Sequence, residues 1–176
     1  MDQGELTIQA RSFAIGPLLE ERGRLSLPRA TEKGLMVEFG IPPELPDVRV
    51  DPKQIARSLM LLLDNAIKFT PQGGRITLSA KAHIAPDDAP PGWQHGYVEV
   101  SLSDTGIGIP ADRVPRIFDK FYQVDASATR SYGGTGLGLA LVKQIMDAHG
   151  TRVNVESAPG VGSTFRFRLP IAESNA

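Results

Sequence analysis

Asn65 and Lys68 stand three residues apart in the stretch "LLLDNAIKFT", residues 61–70. On a helix that spacing puts both on one face. A carboxamide oxygen is a hard ligand suited to Mg²⁺, and an ammonium beside it is a point charge for phosphate. The plainer reading is a solvated polar face. A second group lies in "SDTGIGIP", residues 103–110, where an alternating strand ends at Asp104 and Gly106 and Gly108 open a turn. The local reading is a tight turn held by an Asx-type bond from Asp104. The chemical reading is that the carboxylate accepts a hydrogen bond from an amino group such as that of adenine, while the glycines let a flat base approach the backbone. Residues 106–111 also fit G-x-G-x-x-A, the dinucleotide-binding pattern. That reading fails on context, because the next convincing strand starts only near residue 151 and an acid at the strand end repels a pyrophosphate.

The third group is "RSYGGTGLGLALVKQI", residues 130–145, in which Gly133, Gly134, Gly136 and Gly138 precede an apolar helix. Turn chemistry needs one or two glycines, not four. A helix N-terminus offers unpaired N–H groups and a positive dipole end, so anions bind there. No G-K-[ST] follows, and Lys143 falls inside the helix, so this is not a Walker A loop. "RIFDKFYQ", residues 116–123, places Phe118 and Phe121 at i, i+3, as an ordinary buried helical face does. In "GVGSTFRF" the glycines mark a hairpin turn, and Thr164 faces either a ligand or the core.

These groups need elements to position them. The clearest helix spans 52–69: Asp51 caps it, Pro52 fits its first position, and Ile55, Leu59, Leu62, Leu63 and Ala66 form a stripe. Residues 1–10 alternate weakly, as a short edge strand. Residues 14–32 read as helical but contain Gly23 and Pro28. Short strands are expected at 34–40 and 47–51, split by the turn "IPPELP". Segments 74–82 and 96–104 alternate and should pair antiparallel across the Pro-rich excursion "HIAPDDAPPGWQH". A short helix is expected at 111–121, a loop at 122–133, a helix at 136–149, then a closing hairpin around "APGVG" and a frayed tail after Pro170. The whole reads as an α+β fold, a two-layer sandwich with a mixed, mostly antiparallel sheet and about three helices on one face. It does not read as a regular βαβ alternation.

Bulk properties narrow the classes. A chain of 176 residues suits one domain. There is no cysteine, which excludes disulfides and thiolate metal sites, and His83, His95 and His149 lack metal-ligand spacing. A net charge of −1 gives no electrostatic case for nucleic acid. The run "LMLLL" is too short to span a bilayer, and the N-terminus lacks a signal-peptide pattern.

Taken in order, the segments "LLLDNAIKFTP", "DTGIGIP", "RIFDKFYQ", "GGTGLGL" and "GSTF" resemble the N, G1, F, G2 and G3 boxes of the catalytic and ATP-binding domain of bacterial sensor histidine kinases. That domain shares the Bergerat fold with gyrase B, MutL and the large heat-shock chaperones, the GHKL superfamily. The likeness covers roughly residues 10–170. It implies one domain over 1–176 that binds ATP and Mg²⁺ and donates the γ-phosphoryl group to a histidine, in two-component signalling. Asp104 would bind the adenine amino group, Gly106, Gly108 and Ile109 would line the base pocket, and Phe69 would flank it. Asn65 would hold Mg²⁺ and Lys68 would steady the phosphates. A flexible ATP lid would span about 110–135, with Lys120 and Arg130 as its phosphate-reaching cations. Gly134, Thr135, Gly136, Leu137 and Gly138 would clamp the phosphates, and Thr164 completes the cofactor-binding set.

The resemblance implies partners as well: the kinase's own dimerisation helices, expected before residue 1, and a response regulator. None of the three histidines sits in the acceptor context, so the chain alone should bind ATP without autophosphorylating. It is expected to be monomeric alone, homodimeric at full length and cytoplasmic, whether or not the parent protein is membrane-anchored. Two positions depart from the pattern. Leu61 stands where the family usually has a second polar residue and the hydrolysing relatives a general-base glutamate. This disfavours a gyrase-like ATPase and leaves open a degenerate regulatory module that binds nucleotide without phosphotransfer. Tyr132 stands where many kinases have an arginine. The Phe pair and long lid argue against an anti-sigma serine kinase.

Overall fold

The computed structural model describes residues 5–123 and 136–174. A small antiparallel pair joins β1 (Arg11–Phe13) to β3 (Val48–Val50). The main sheet has the order β2-β4-β5-β7-β6, with β2 (Met36–Gly40), β4 (Arg75–His83), β5 (Tyr97–Asp104), β6 (Val153–Ala158) and β7 (Gly162–Pro170). Four helices are described: α1 (Ile15–Leu25), α2 (Leu27–Glu32), α3 (Pro52–Phe69) and α4 (Gly138–Ala148).

The sheet's alternation creates its two faces. Ile76 and Leu78 of β4, Val98, Val100 and Leu102 of β5, and Phe165, Phe167 and Leu169 of β7 are buried. They form one cluster with Ile55, Leu59, Leu62 and Leu63 of α3 and Val142, Ile145 and Met146 of α4. The opposite face carries polar residues such as Glu99, Ser101 and Ser103. This is the expected two-layer α+β sandwich.

Helix α3 begins and ends where local chemistry dictates. The Asp51 Oδ1 accepts hydrogen bonds from the backbone N–H groups of Lys53 and Gln54 at 3.2 and 3.4 Å. Pro71 follows its end and biases Thr70 to extended backbone, as observed at ψ 115°. The doubtful stretch 14–32 is two helices that meet at Ser26. Gly23 survives inside α1 because a Cβ there would lie 2.2 Å from the Phe39 ring. Pro28 sits in the first turn of α2, where its missing N–H is harmless.

Several expectations are corrected. Residues 5–10 form no strand; the edge pairing starts at Arg11. β2 and β4 are parallel, so β2, α3 and β4 make one βαβ crossover within the otherwise antiparallel sheet. In 111–121 the only helical element is a single 3₁₀ turn, Val114–Arg116, with Pro115 inside it. Phe118 and Phe121 therefore share no helical face. Phe118 packs edge-on against Phe165, with ring centroids 6.4 Å apart. Phe121 is 71% exposed and holds φ +62°, a left-handed conformation rare for a bulky residue. The tail stays pinned after Pro170: Ile171 bridges Val48, and the Ala172 N–H donates to the Asp47 carbonyl at 2.9 Å.

Candidate functional site

Asp104 ends β5 on the helix-facing side, directly opposite Ser163 of β7. Its Oδ1 accepts two backbone N–H groups, from Gly106 at 2.9 Å and Ser163 at 3.3 Å. The first is the Asx-type bond that the local reading expects. Among the described residues Oδ2 accepts nothing. Burial raises the carboxyl above its ordinary pKa, and the two backbone donors offset this only in part. One oxygen thus fixes the side chain, and the other remains an unfilled acceptor.

The loop after Asp104 is docked on three elements. The Ile107 N–H donates to the carbonyl of Phe69, the last residue of α3, at 3.1 Å. The Ile107 carbonyl accepts the Gly160 N–H at 2.8 Å, and the Ile109 N–H donates to Ser157 Oγ at 2.8 Å. Both glycines are demanded by protein backbone. A Cβ at Gly106 would lie 2.6 Å from the Phe69 carbonyl oxygen; one at Gly108, where φ is +72°, would lie 2.0 Å from that of Ala158. The expectation that they serve the approach of a base is therefore unnecessary to explain them. Their conformation sets the loop that presents Asp104 and Ile109.

On α3, Asn65 and Lys68 are half-buried along a stripe that also contains Leu61, one turn earlier. Phe69 closes that helix, also half-buried. The last turn is gripped from outside: Lys33 Nζ donates to the carbonyls of Ile67 and Lys68 at 2.6 and 2.8 Å. Burial lowers the Lys33 pKa from its ordinary value. No local pattern in the sequence points to Lys33, which acts across 34–35 positions of chain.

Across from α3 stands the start of α4. Leu137, at its N-cap, has no side-chain acceptor to offer the first N–H groups. A Cβ on Gly138 would meet only Leu61, at 3.6 Å, an ordinary contact. Among the described residues nothing therefore forces Gly138 to be glycine, unlike Gly136. Gly136 has φ +72°, its carbonyl accepts the Phe121 N–H at 3.0 Å, and a Cβ there would lie 2.9 Å from the Phe121 backbone. Lys120 is exposed. Arg130, Gly134 and Thr135, with most of the expected lid, lie outside the described residues.

Thr164 stands apart from the other expected cofactor-binding residues. It pairs with Ser103 on the polar face, at 2.7 Å between hydroxyls, and so faces away from Asp104's side. Ser163 holds the position beside Asp104, and its hydroxyl is 2.7 Å from that of Ser157. Period-two counting from the buried Phe165 and Phe167 would have found it. No group of three or more His, Asp or Glu that could hold a metal occurs among the described residues.

α3's last turns, the Asp104 loop and the α4 N-terminus all lie within the stretch that matches a known family. Residues 50–173 match the model of the histidine kinase-, DNA gyrase B- and HSP90-like ATPases. The chain belongs to this family. Its relatives include the circadian input-output histidine kinase CikA of Synechococcus elongatus, 36% identical over 97% of the chain and 21% of CikA. The adaptive-response sensory kinase SasA of Nostoc sp. is 39% identical over 97% of the chain and 39% of SasA. Among solved structures, full-length ShkA in complex with AMPPNP superposes with a TM-score of 0.79 at 32% identity, covering 98% of this chain and 33% of ShkA. The catalytic domain of histidine kinase ThkA gives 0.76 at 25% identity, covering 93% of the chain and 97% of that domain. These relatives and structural neighbours are histidine and sensory kinases, and the chain spans well under half of the curated ones. No helix among the described residues is long and apolar enough to cross a membrane.

Proposed function

We propose that residues 1–176 act as one ATP-binding kinase domain that donates a phosphoryl group to a histidine of a separate helical domain. The observation that carries this reading is Asp104, with Oδ1 tied to backbone and Oδ2 open. A carboxylate acceptor suits the adenine amino group. Guanine would set an oxygen against it, and an unpaired buried acceptor costs about 1–3 kcal/mol.

The remaining residues suit the rest of the nucleotide. Ile109 and Phe69 would flank the base, and Gly106 and Gly108 would shape its pocket. The uncapped start of α4, with Gly136, Leu137 and Gly138, would take the phosphates, and Gly134 and Thr135 would extend that cradle. Lys68, Lys120 and Arg130 would neutralise charge. Asn65 would supply one oxygen to Mg²⁺, an ion that commonly takes one or two protein ligands and keeps its other positions for phosphate and water. When bound, Mg²⁺ would supply charge neutralisation at the phosphates; Lys68 and the α4 N–H groups would stabilise the charge that builds as the bond between the γ-phosphorus and the β–γ bridging oxygen breaks, ADP leaves and a neutral imidazole nitrogen takes the phosphoryl group. The chain would be monomeric alone and cytoplasmic, with its dimerisation helices and a response regulator as partners.

Calorimetric titration of ATP and GTP with Mg²⁺, on the native chain and Asp104→Asn, tests this reading. ATP binding that is lost in the variant, with no GTP binding, supports it. Equal binding of both nucleotides, or none by the folded native chain, would overturn it. Leu61 favours a second reading, a module that binds nucleotide without transferring phosphate. An apolar side chain there supplies no oxygen beside Asn65. ATP binding without phosphorylation of an acceptor-helix domain supplied in trans would decide for that reading.

A further inference from the structure

The sheet's polar face carries a cavity away from the Asp104 site. It has a volume of about 300 Å³ and lies between the 84–96 connection, the turn after α4 and the starts of β5 and β6. Pro86, Pro90, Trp93, Tyr97, Arg152 and Arg168 line it, and among the described residues no carboxylate-bearing side chain does. Tyr97 and Asp104 are the first and last residues of β5. At about 3.4 Å per residue they stand roughly 24 Å apart, on opposite faces.

The walls are built in advance. The connection is a chain of tight turns: the Ala89, Trp93 and Gly96 N–H groups donate to the carbonyls of Pro86, Pro90 and Trp93, at 3.0, 3.0 and 3.1 Å. Gly96 is buried, and a Cβ there would lie 2.1 Å from the His83 carbonyl, so the connection is clamped to β4. The Tyr97 ring stacks on His83, with centroids 4.9 Å apart, and the Arg168 guanidinium lies 4.6 Å from its centroid. Arg168 is anchored through Nε to Glu99 at 3.3 Å. Arg152 makes no hydrogen bond or ion pair with any described residue.

We infer that this cavity binds a small aromatic carboxylic acid. The Trp93 indole and the Pro86 and Pro90 rings offer surface to a planar ring, while Tyr97, covered by His83 and Arg168, forms a fixed part of the wall; the Arg152 guanidinium suits a carboxylate, which arginine grips with two parallel bonds. The volume stands at the lower end for ligand pockets, enough for a ring with one acidic group.

The chain contains one tryptophan, so Trp93 reports directly. The native chain, without nucleotide, is titrated with phenylacetate and with its neutral analogue phenylacetamide, followed by Trp93 fluorescence and ligand-observed NMR. The expected result is saturable phenylacetate binding, weakened about tenfold for the amide and about tenfold by Arg152→Gln, the loss of one charge-assisted contact. Asp104→Asn should leave it unchanged, separating this site from the nucleotide site. Arg152→Gln is exposed and should keep the native unfolding midpoint. No saturable binding in the millimolar range, equal binding of acid and amide, or indifference to Arg152→Gln would each overturn the inference.

Discussion

His149 Nε2 accepts the backbone N–H of Asp51 at 3.0 Å, while its Nδ1 lies 2.7 Å from the Ile145 carbonyl. The end of α4 is thereby tied to the residue that caps α3. Since the backbone N–H of Asp51 can only donate, Nε2 must be unprotonated, and Nδ1, facing a carbonyl oxygen, must carry the hydrogen. The expected outcome in nitrogen-detected NMR is the neutral Nδ1–H tautomer. His149→Ala removes the tie and should cost about 1–3 kcal/mol in denaturant unfolding. A Nε2–H tautomer would contradict the geometry.

Asp104 gives a prediction about stability that runs opposite to its effect on binding. Its folded pKa is raised by burial. A raised carboxyl pKa means that the fold prefers the protonated form, so the group's contribution is most favourable below its unfolded pKa and is lost as pH rises through the folded one. At neutral pH the fold therefore carries a charge it disfavours. Asp104→Asn should melt at or above the native midpoint near neutrality, with the advantage disappearing below about pH 4. Thermal melts at both pH values check this. A clear destabilisation at neutral pH would mean that the backbone donors outweigh burial.

The glycines separate by what surrounds them. Gly108→Ala faces the Ala158 carbonyl 2.0 Å away at φ +72°, so it should lower stability by about 2–4 kcal/mol. Gly138→Ala meets nothing closer than 3.6 Å among the described residues, and on a helix should be neutral or gain up to about 1 kcal/mol. If phosphates pass close to α4, Gly138→Ala should still weaken ATP. Unfolding curves beside nucleotide titrations distinguish the two glycines. An unchanged ATP affinity would remove Gly138 from the site.

Leu61 lies one turn before Asn65 and beside Gly138. Leu61→Asn should cost about 1–2 kcal/mol of packing and place a second hard oxygen by Asn65. The expected outcome is a steeper Mg²⁺ dependence of ATP affinity in titrations across metal concentration. An unchanged dependence would place the metal away from this helix stripe.

What the sequence made legible was local. Helix α3 is read to the residue because its cap, its proline and its stripe all lie within it. Gly23 looked like a helix breaker because its reason, Phe39, sits on another element. The parallel β2–β4 pairing depends on how α3 crosses over, which alternation within each strand does not encode. The short helix at 111–121 fails because Phe118 and Phe121 have the right spacing without a continuous helix between them. Asp104 was recognisable from its strand end and glycines. Lys33 was not, because it recognises carbonyls rather than side chains.

Phe121 and Gly136 both hold left-handed backbone, and the Phe121 N–H donates to the Gly136 carbonyl. Two positions far apart in sequence thus act as one clasp. A side chain at Gly136 that could not hold its positive φ would disturb Phe121 as well, so the strain of a single substitution would surface at both ends of the clasp at once.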